Sequence, residues 1–301
     1  MLTVKTCGTS ESTFADHLAE LRVSIDRRLD ELLPESGNER DLIALAMRDS
    51  TLAPGKRMRP ILLVLAANSL GHRGAQALEL GCAVEMIHAA SLVLDDMPCM
   101  DNAQLRRGRP TVHLKFGEDV AILTAIALLS RAFGVVAGIA ELPAATRTQL
   151  VEVLANTVGM QGLVRGQFQD LRDGQQARSA EQIALTNTLK TGVLFGAIMD
   201  MAWLVSGATP CKRSPLQNFA LELGQAFQLY DDLHDSSPDT AKDQGKDAGK
   251  STLMALYGPE GVTLRLYEHL RKAQACLDEA LGRDHQLGDF LQLIFAKVAI
   301  R

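Results

Sequence analysis

The 301-residue sequence predicts an all-α protein built as one helical bundle over residues 1–301. Three observations carry this. Apolar residues recur at helical spacing along most of the chain. Ala and Leu dominate the apolar set and aromatics make up only 4%, a composition suited to helix–helix packing. No run of alternating strand residues, fixed-period repeat, low-complexity segment or interdomain linker interrupts the pattern.

The elements follow in order. Residues 1 to about 13 are polar and read as loose. From Phe14 to Leu33, Leu18, Leu21, Ile25, Leu29 and Leu32 mark one helix face. A second helix spans about Glu39 to Leu52. The loop Ala53 to Pro60 is rich in cations and precedes a helix from Ile61 to Leu70 that is apolar nearly all round. Ala77 to Leu94 is an apolar helix ended or kinked by Pro98. Gly117 to Gly138 is another, and Thr146 to Leu171 reads as one long helix containing Gly159, Gly162 and Gly166. Ser179-Ala180-Glu181-Gln182 is a capping box opening a helix that runs to about Val205. Ser214-Pro215-Leu216-Gln217 reads as the N-cap, first-turn proline and capping-box glutamine of a helix ending near Asp235. A polar loop from Ser236 to Ser251 and two more amphipathic helices complete the chain.

The composition excludes several functions. A formal charge of −5 argues against a general nucleic-acid binder. The five cysteines (Cys7, Cys82, Cys99, Cys211, Cys276) are odd in number and lack metal spacing, which fits a reduced cytoplasmic protein. Met1 to Phe14 contains no apolar signal core. The run Val120 to Leu129 is too short to cross a bilayer, so no transmembrane segment is expected.

The stretch Asp95-Asp96-Met97-Pro98-Cys99-Met100-Asp101 organises the functional reading, together with Asp231-Asp232-Leu233-His234-Asp235. Each places carboxylates at the C-terminal end of an apolar helix, against the negative end of the helix dipole. Such clusters need cations. Asp231 and Asp235 share a helix face at i and i+4. Asp95 and Asp101 lie too far apart for a regular helix, but a distortion at Pro98 brings them to one side. Oxygen ligands without Cys or His select a hard cation, foremost Mg2+. The cations Lys56, Arg57, Arg59, Arg106, Arg107 and Lys190, with the lysines of the 242–250 loop, then fit a diphosphate substrate. Neither a Walker-type loop nor a dinucleotide fingerprint is present. The apolar aspartate helices suit a hydrocarbon tail.

These motifs resemble those of the trans-isoprenyl diphosphate synthases. The matches are Gly55-Lys56-Arg57-x-Arg59-Pro60, Glu85 to His88, Asp95 to Asp101, Leu105-Arg106-Arg107-Gly108-x-Pro110-Thr111, Gly166-Gln167-x-x-Asp170-Leu171, Lys190-Thr191, Gly224-x-x-x-Gln228-x-x-Asp231-Asp232-x-x-Asp235 and Asp247-x-Gly249-Lys250-Ser251. The resemblance implies a helical bundle around a central cavity, a homodimer, and Mg2+ as cofactor, with three ions per loaded site. It implies that Asp95, Asp101 and Asp231 ligate Mg2+, supported by Asp96, Asp232 and Asp235. Arg106, Lys190, Thr191, Gln228, Lys242 and Lys250 would bind an allylic diphosphate of C5 to C15, and Lys56, Arg59, His88 and Arg107 isopentenyl diphosphate. The catalytic set is then Asp95, Asp96, Asp101, Arg106, Lys190, Asp231, Asp232 and Asp235. Gln167 and Asp170 read equally well as residues that cap or bridge helices. Asn102 departs from the pattern, standing where many bacterial relatives carry a further aspartate.

The same resemblance addresses product length. Ala90 and Ser91 are small and lie about one turn before Asp95, where short-chain members often carry an aromatic floor. With the Pro98-Cys99 insertion this favours a C20 product over C15. An all-α terpene cyclase would not need Lys56, Arg59 and Arg107, and a non-catalytic partner subunit would not keep both aspartate motifs complete.

Overall fold

The computed structural model describes residues 8–173, 176–235, 252–283 and 285–296, without side-chain detail for residues 8–13 and Asp235. Lys242 and Lys250, with the rest of the 236–251 loop, and Cys7 lie outside the described residues.

Helices dominate. They are α1 (Gly8–Leu32), α2 (Leu42–Thr51), α3 (Met58–Ser69), α4 (Gln76–Asp95), α5 (Val112–Phe116), α6 (Glu118–Ala137), α7 (Ala144–Val158), α8 (Leu163–Asp173), α9 (Ala180–Asn187), α10 (Val193–Ser206), α11 (Arg213–Asp235), α12 (Leu253–Leu281) and α13 (Gln286–Phe295). The strands among the described residues are β1 (Leu105–Arg106) and β2 (Arg109–Pro110), an antiparallel hairpin. Its turn places Arg107 at φ 55 and Gly108 at φ 75. Positive φ at both central residues is what a tight two-residue hairpin requires.

One buried apolar cluster runs from Leu18 on α1 to Phe295 on α13. α3 lies near its centre, buried from Pro60 through Ala67, as its all-round apolar sequence demands. α4 packs on α3 and α6, α10 on α3, α7 and α11, and α11 on α12. Thus α3, α4 and α11, which carry Arg59, His88, Asp95 and Asp231 among the predicted site residues, are braced against one another through α10.

Several boundaries differ from expectation. Residues 8–13 extend α1 rather than forming a loose tail. The expected long helix from Thr146 divides into α7 and α8 at Gly159–Gly162, where a Cβ on Gly162 would lie 2.0 Å from the Thr157 carbonyl oxygen. The Ser179 capping box forms as expected, its hydroxyl accepting from Gln182 N at 3.3 Å. The one at Ser214 does not. α11 already begins at Arg213, after a 3-10 turn Pro210–Lys212, and Gln217 Nε2 donates instead to Gly196 O at 3.0 Å. By length and composition α4, α6 and the α9–α10 stretch are apolar enough to cross a membrane. Unbroken apolar runs such as Val120 to Leu129 understate this, because they are shorter than the helices that contain them; in α4, two-thirds of that stretch is inside the fold.

Arg57 is also reassigned. Its place in a cationic loop grouped it with substrate-facing cations, but it is only 3% exposed. Its Nε donates to Asp26 at 2.6 Å, Nη1 to Glu85 at 3.1 Å and Nη2 to Ala53 O at 3.0 Å. Arg57 therefore ties α1 and α4 to the loop before α3, because a buried guanidinium requires paired acceptors.

Between α9 and α10 the helix widens into a π-helical segment, Thr188–Gly192, which carries Lys190 and Thr191. Two glycines let neighbouring helices approach its backbone. A Cβ on Gly166 of α8 would sit 2.4 Å from Lys190 N, and one on Gly224 of α11 2.8 Å from Gly192 Cα. Backbone atoms cannot swing aside as a side chain can. Gly166→Ala is therefore expected to cost about 1–3 kcal/mol or more of stability. Denaturant unfolding checks this; an unchanged midpoint would mean that α8 shifts freely against the π segment.

Candidate active site

α4 ends on Asp95, and Asp96 is its C-cap. The chain then doubles back. Met97 N donates to Leu94 O at 3.1 Å, Asp101 N to Asp95 O at 2.9 Å and Ala103 N to Asp96 O at 3.1 Å. The Pro98-Cys99 insertion is accommodated in this turn, and Asp101 returns to the Asp95 side through the distortion expected at Pro98. Asn102 closes the turn at φ 48. Asn tolerates the left-handed region better than most side chains, which gives this departure from the family pattern a local reason.

The charge is costly where it stands. Burial pushes the Asp95 carboxyl up to about 6, with Asp101 and Asp96 adding repulsion, while Lys190 and Arg106 oppose the shift. Asp96 is almost fully buried, and Arg106 pairs with it through both Nε and Nη2. Burial disfavours the Arg106 charge, yet the bond to Asp96 and the Asp95 and Asp101 carboxylates raise its pKa above the ordinary arginine value. The backbone chain continues through Ala103 O, which accepts from the Thr111 hydroxyl at 2.8 Å.

Lys190 faces the same cluster. Burial works against its charge, but Asp95, Asp170 and Asp101 together raise its pKa. Its Nζ donates to Asp170 Oδ2 at 2.8 Å. Asp170, which the sequence left between a motif residue and a helix bridge, thus ties α8 to the π segment through Lys190. The close approach of α8 at Gly166 makes this pairing possible. Thr191 is half-buried beside Lys190.

On α11, Gln228 Nε2 donates to Asp232 Oδ1 at 3.0 Å, a bond within one helix turn. Asp231 is half-buried and acts electrostatically on Arg59 of α3. Asp235 ends α11, one turn beyond Asp231. The two aspartate clusters therefore lie at the ends of helices that share a neighbour, α10.

A second cationic group is distinct from the first. Arg59 Nη1 donates to His88 Nε2 at 3.2 Å. His88 lies well below its usual pKa because it is buried and faces Arg59, Arg107, Arg106 and Arg57. It is therefore the neutral ring, with Nε2 as acceptor. Arg107 Nη1 donates to Pro54 O at 3.3 Å and lies over Gly55. Lys56, on the same loop, is exposed. Arg59 is held below the ordinary arginine range by burial and by Arg107, against the pull of Glu85 and Asp231. The rings of Phe195 and Phe227 lie 5.3 and 6.0 Å from its guanidinium carbon. Neither phenylalanine carried a signal in the sequence, beyond Phe227 standing next to Gln228.

Ser91 and Ala90 separate. Ser91 is half-buried, its hydroxyl donating to His88 O at 2.9 Å, whereas Ala90 has no accessible surface. His88, Ser91 and Asp95 thus form the accessible line on α4, and Ala90 sits in the packing behind it. A cavity of about 560 Å3 between α7, α10 and the start of α11, lined by Glu152, Asn156, Ala197, Asp200 and Trp203 among others, contains none of the predicted site residues.

Among the described residues no three carboxylate, imidazole or thiol groups converge into a closed metal cage. Asp95 and Asp101, brought to one side by the turn, offer carboxylate oxygens only. This fits Mg2+, which takes one or two carboxylates and completes its shell with phosphate oxygens and water.

Comparison with known proteins agrees with this arrangement. A family model described as polyprenyl synthetase matches residues 40–286. The geranylgeranyl diphosphate synthase of Pantoea ananas is 54% identical over 286 residues, covering 94% of each chain. That of Pseudescherichia vulneris is 50% identical over 277 residues, covering 91% of this chain and 90% of the relative. Among solved structures, a geranyltransferase from Helicobacter pylori complexed with magnesium and isoprenyl diphosphate superposes with a TM-score of 0.84 at 25% identity, covering 99% of both chains. Likeness at this level, extending from the first helices to the last, makes the protein a member of the polyprenyl synthetase family.

Proposed function

We propose that the protein is a geranylgeranyl diphosphate synthase. It condenses isopentenyl diphosphate with an allylic diphosphate of C5 to C15, releases pyrophosphate and stops at C20. The observation that carries this is the division of the cations into two groups. Arg106 and Lys190 are bound to the carboxylate cluster. Lys56, Arg59, His88 and Arg107 stand apart from it. Two diphosphates of different roles need two such places, and a cyclase acting on one substrate does not. The names of the Pantoea and Pseudescherichia relatives support the C20 assignment.

In this reading Asp95, Asp101 and Asp231 hold Mg2+, with Asp96, Asp232 and Asp235 in support. Bound Mg2+, three ions per loaded site, would relieve the carboxylate repulsion and neutralise the leaving diphosphate. Arg106, Lys190, Thr191 and Gln228 orient the allylic diphosphate, and Lys242 and Lys250 join them from the loop outside the described residues. Their charges favour rupture of the allylic C–O bond, the electron pair leaving with the diphosphate. Lys56, Arg59, Arg107 and neutral His88 hold isopentenyl diphosphate so that its double bond attacks the allylic cation. A proton then leaves to the released pyrophosphate. The hydrocarbon grows along the accessible line of α4 past Ser91.

We further place the protein in the cytoplasm as a homodimer. The α6 surface supports the dimer: Ile122, Leu123 and Ile126 are 44, 47 and 57% exposed on adjoining turns. Continuous apolar exposure of this kind marks an interface.

Four outcomes are expected. Asp95→Ala loses at least about 100-fold in turnover while keeping its helical circular dichroism; near-normal turnover would remove Asp95 from the metal site. The raised Asp95 pKa predicts a pH-dependent stability. A carboxylate lifted from 3.8 to about 6 penalises the fold fully above pH 6, and the penalty fades as pH falls toward 4. In EDTA, Asp95→Asn is therefore more stable than the parent at pH 8 by up to about 3 kcal/mol, the gain shrinking at pH 4.5. Equal gains at both pH values would refute the charge argument. Ser91→Tyr shifts the product toward C15, measured by chromatography of dephosphorylated products; an unaltered distribution would mean the chain grows elsewhere. Ile126→Glu halves the mass measured by light scattering, and a persistent dimer would move the interface off α6.

A further inference from the structure

We propose that Phe195 and Phe227 are positioning residues for the second substrate, holding the Arg59 guanidinium so that its free edge meets the diphosphate of isopentenyl diphosphate. This rests on the reading of Arg59 as a diphosphate ligand and identifies what aims it.

The two rings come from different helices. Phe195 is fully buried on α10 and Phe227 partly buried on α11. Their centroids are 5.8 Å apart at an interplanar angle of 63°, an edge-on contact that fixes one ring against the other. The guanidinium of Arg59, from α3, lies within reach of both, 5.3 and 6.0 Å from their centroids. A cation over an aromatic face is attracted by the ring quadrupole, more so when desolvated. Aromatics make up only 4% of the chain, so two phenylalanines on one guanidinium are a local concentration.

The hydrogen bonds of Arg59 are incomplete within the fold. Nη1 is taken by His88 at 3.2 Å. Nε is buried with no hydrogen-bond partner. Glu85, the nearest candidate among carboxylates that act on Arg59, gives its Oε1 to Arg57. Arg57 and Arg59, two residues apart, are thus treated in opposite ways. Arg57 is neutralised by two carboxylates and sealed. Arg59 is supported by π faces and a neutral imidazole, neither of which cancels its charge. A phenylalanine pair can therefore orient the cation without competing for the phosphate oxygens, which a carboxylate would do.

The test replaces Phe195 in the full-length enzyme with phenylalanine analogues of increasing ring fluorination, which preserve shape while weakening the quadrupole. KM for isopentenyl diphosphate should rise stepwise, by about two- to twentyfold for the most fluorinated ring. KM for the allylic substrate and kcat should stay within twofold. Phe195→Tyr should keep the parent KM, and Phe195→Leu should match the fluorinated extreme. A KM for isopentenyl diphosphate that is flat across the series, or a loss shared equally by both substrates and kcat, overturns the proposal. Arg59→Gln separates this from the underlying reading. If Arg59→Gln raises that KM strongly while the Phe195 series is flat, only the clamp is wrong. If Arg59→Gln leaves it unchanged, the assignment of Arg59 to the second diphosphate falls with it.

Discussion

Negative charge concentrated at the end of a buried apolar helix is the constraint to which the rest of this protein responds. Asp95 closes α4 at the negative end of the helix dipole, beside Asp96 and Asp101, with its carboxyl lifted to about 6. Nothing in the core benefits from this. The surrounding elements supply the compensation: Arg106 from the β-hairpin, Lys190 from the π segment, and a backbone turn that fixes Asp101 against Asp95. The compensation is incomplete, so the carboxylates remain poised for cations. A site held in an unfavourable state by a stable scaffold trades stability for function.

Backbone geometry does much of the positioning. The non-glycine residues with positive φ among those described are Arg57, Asn102 and Arg107, and each lies in a loop bordering the site. Each such residue costs on the order of 1–3 kcal/mol, and each changes chain direction where side chains must converge. Asn102 brings Asp101 home, Arg107 turns the hairpin that presents Arg106, and Arg57 opens α3 so that Arg59 faces His88. Gly166 and Gly224 act in the complementary way, allowing α8 and α11 to touch the π segment backbone to backbone. Asp170 reaches Lys190 because of the first of these contacts.

The two cationic groups differ in how they are neutralised, and that difference organises the chemistry. Arg106 and Lys190 are paired with carboxylates, so an anion entering there arrives best with metal ions that take over those carboxylates. Arg59 is set against two rings and the neutral His88, and in the proposed reading it meets an anion that brings no metal. In the proposed reading, these two kinds of place hold the two diphosphates in unlike roles.

The sequence by itself determined the helical class, the two aspartate helix ends and the full inventory of cations, because helical periodicity, capping signals and charged clusters are local properties of the chain. Through matching motifs it also pointed to the family. Tertiary structure decided which cation does what. Arg57 and Arg59 look alike in sequence, yet one is sealed between Asp26 and Glu85 and the other lies against two phenyl rings, since only packing determines which partners a buried guanidinium meets. Ala90 and Ser91 are adjacent and both small, but the rotation of α4 buries one fully and leaves the other half-buried. The start of α11 also escaped the sequence, because the contact of Gln217 with Gly196 replaced the local cap, and the break between α7 and α8 falls at glycines that helical spacing alone bridged. Asp170, Phe195 and Phe227 meet Lys190 and Arg59 from positions far away in the chain, and proximity of that kind is created only when the helices pack.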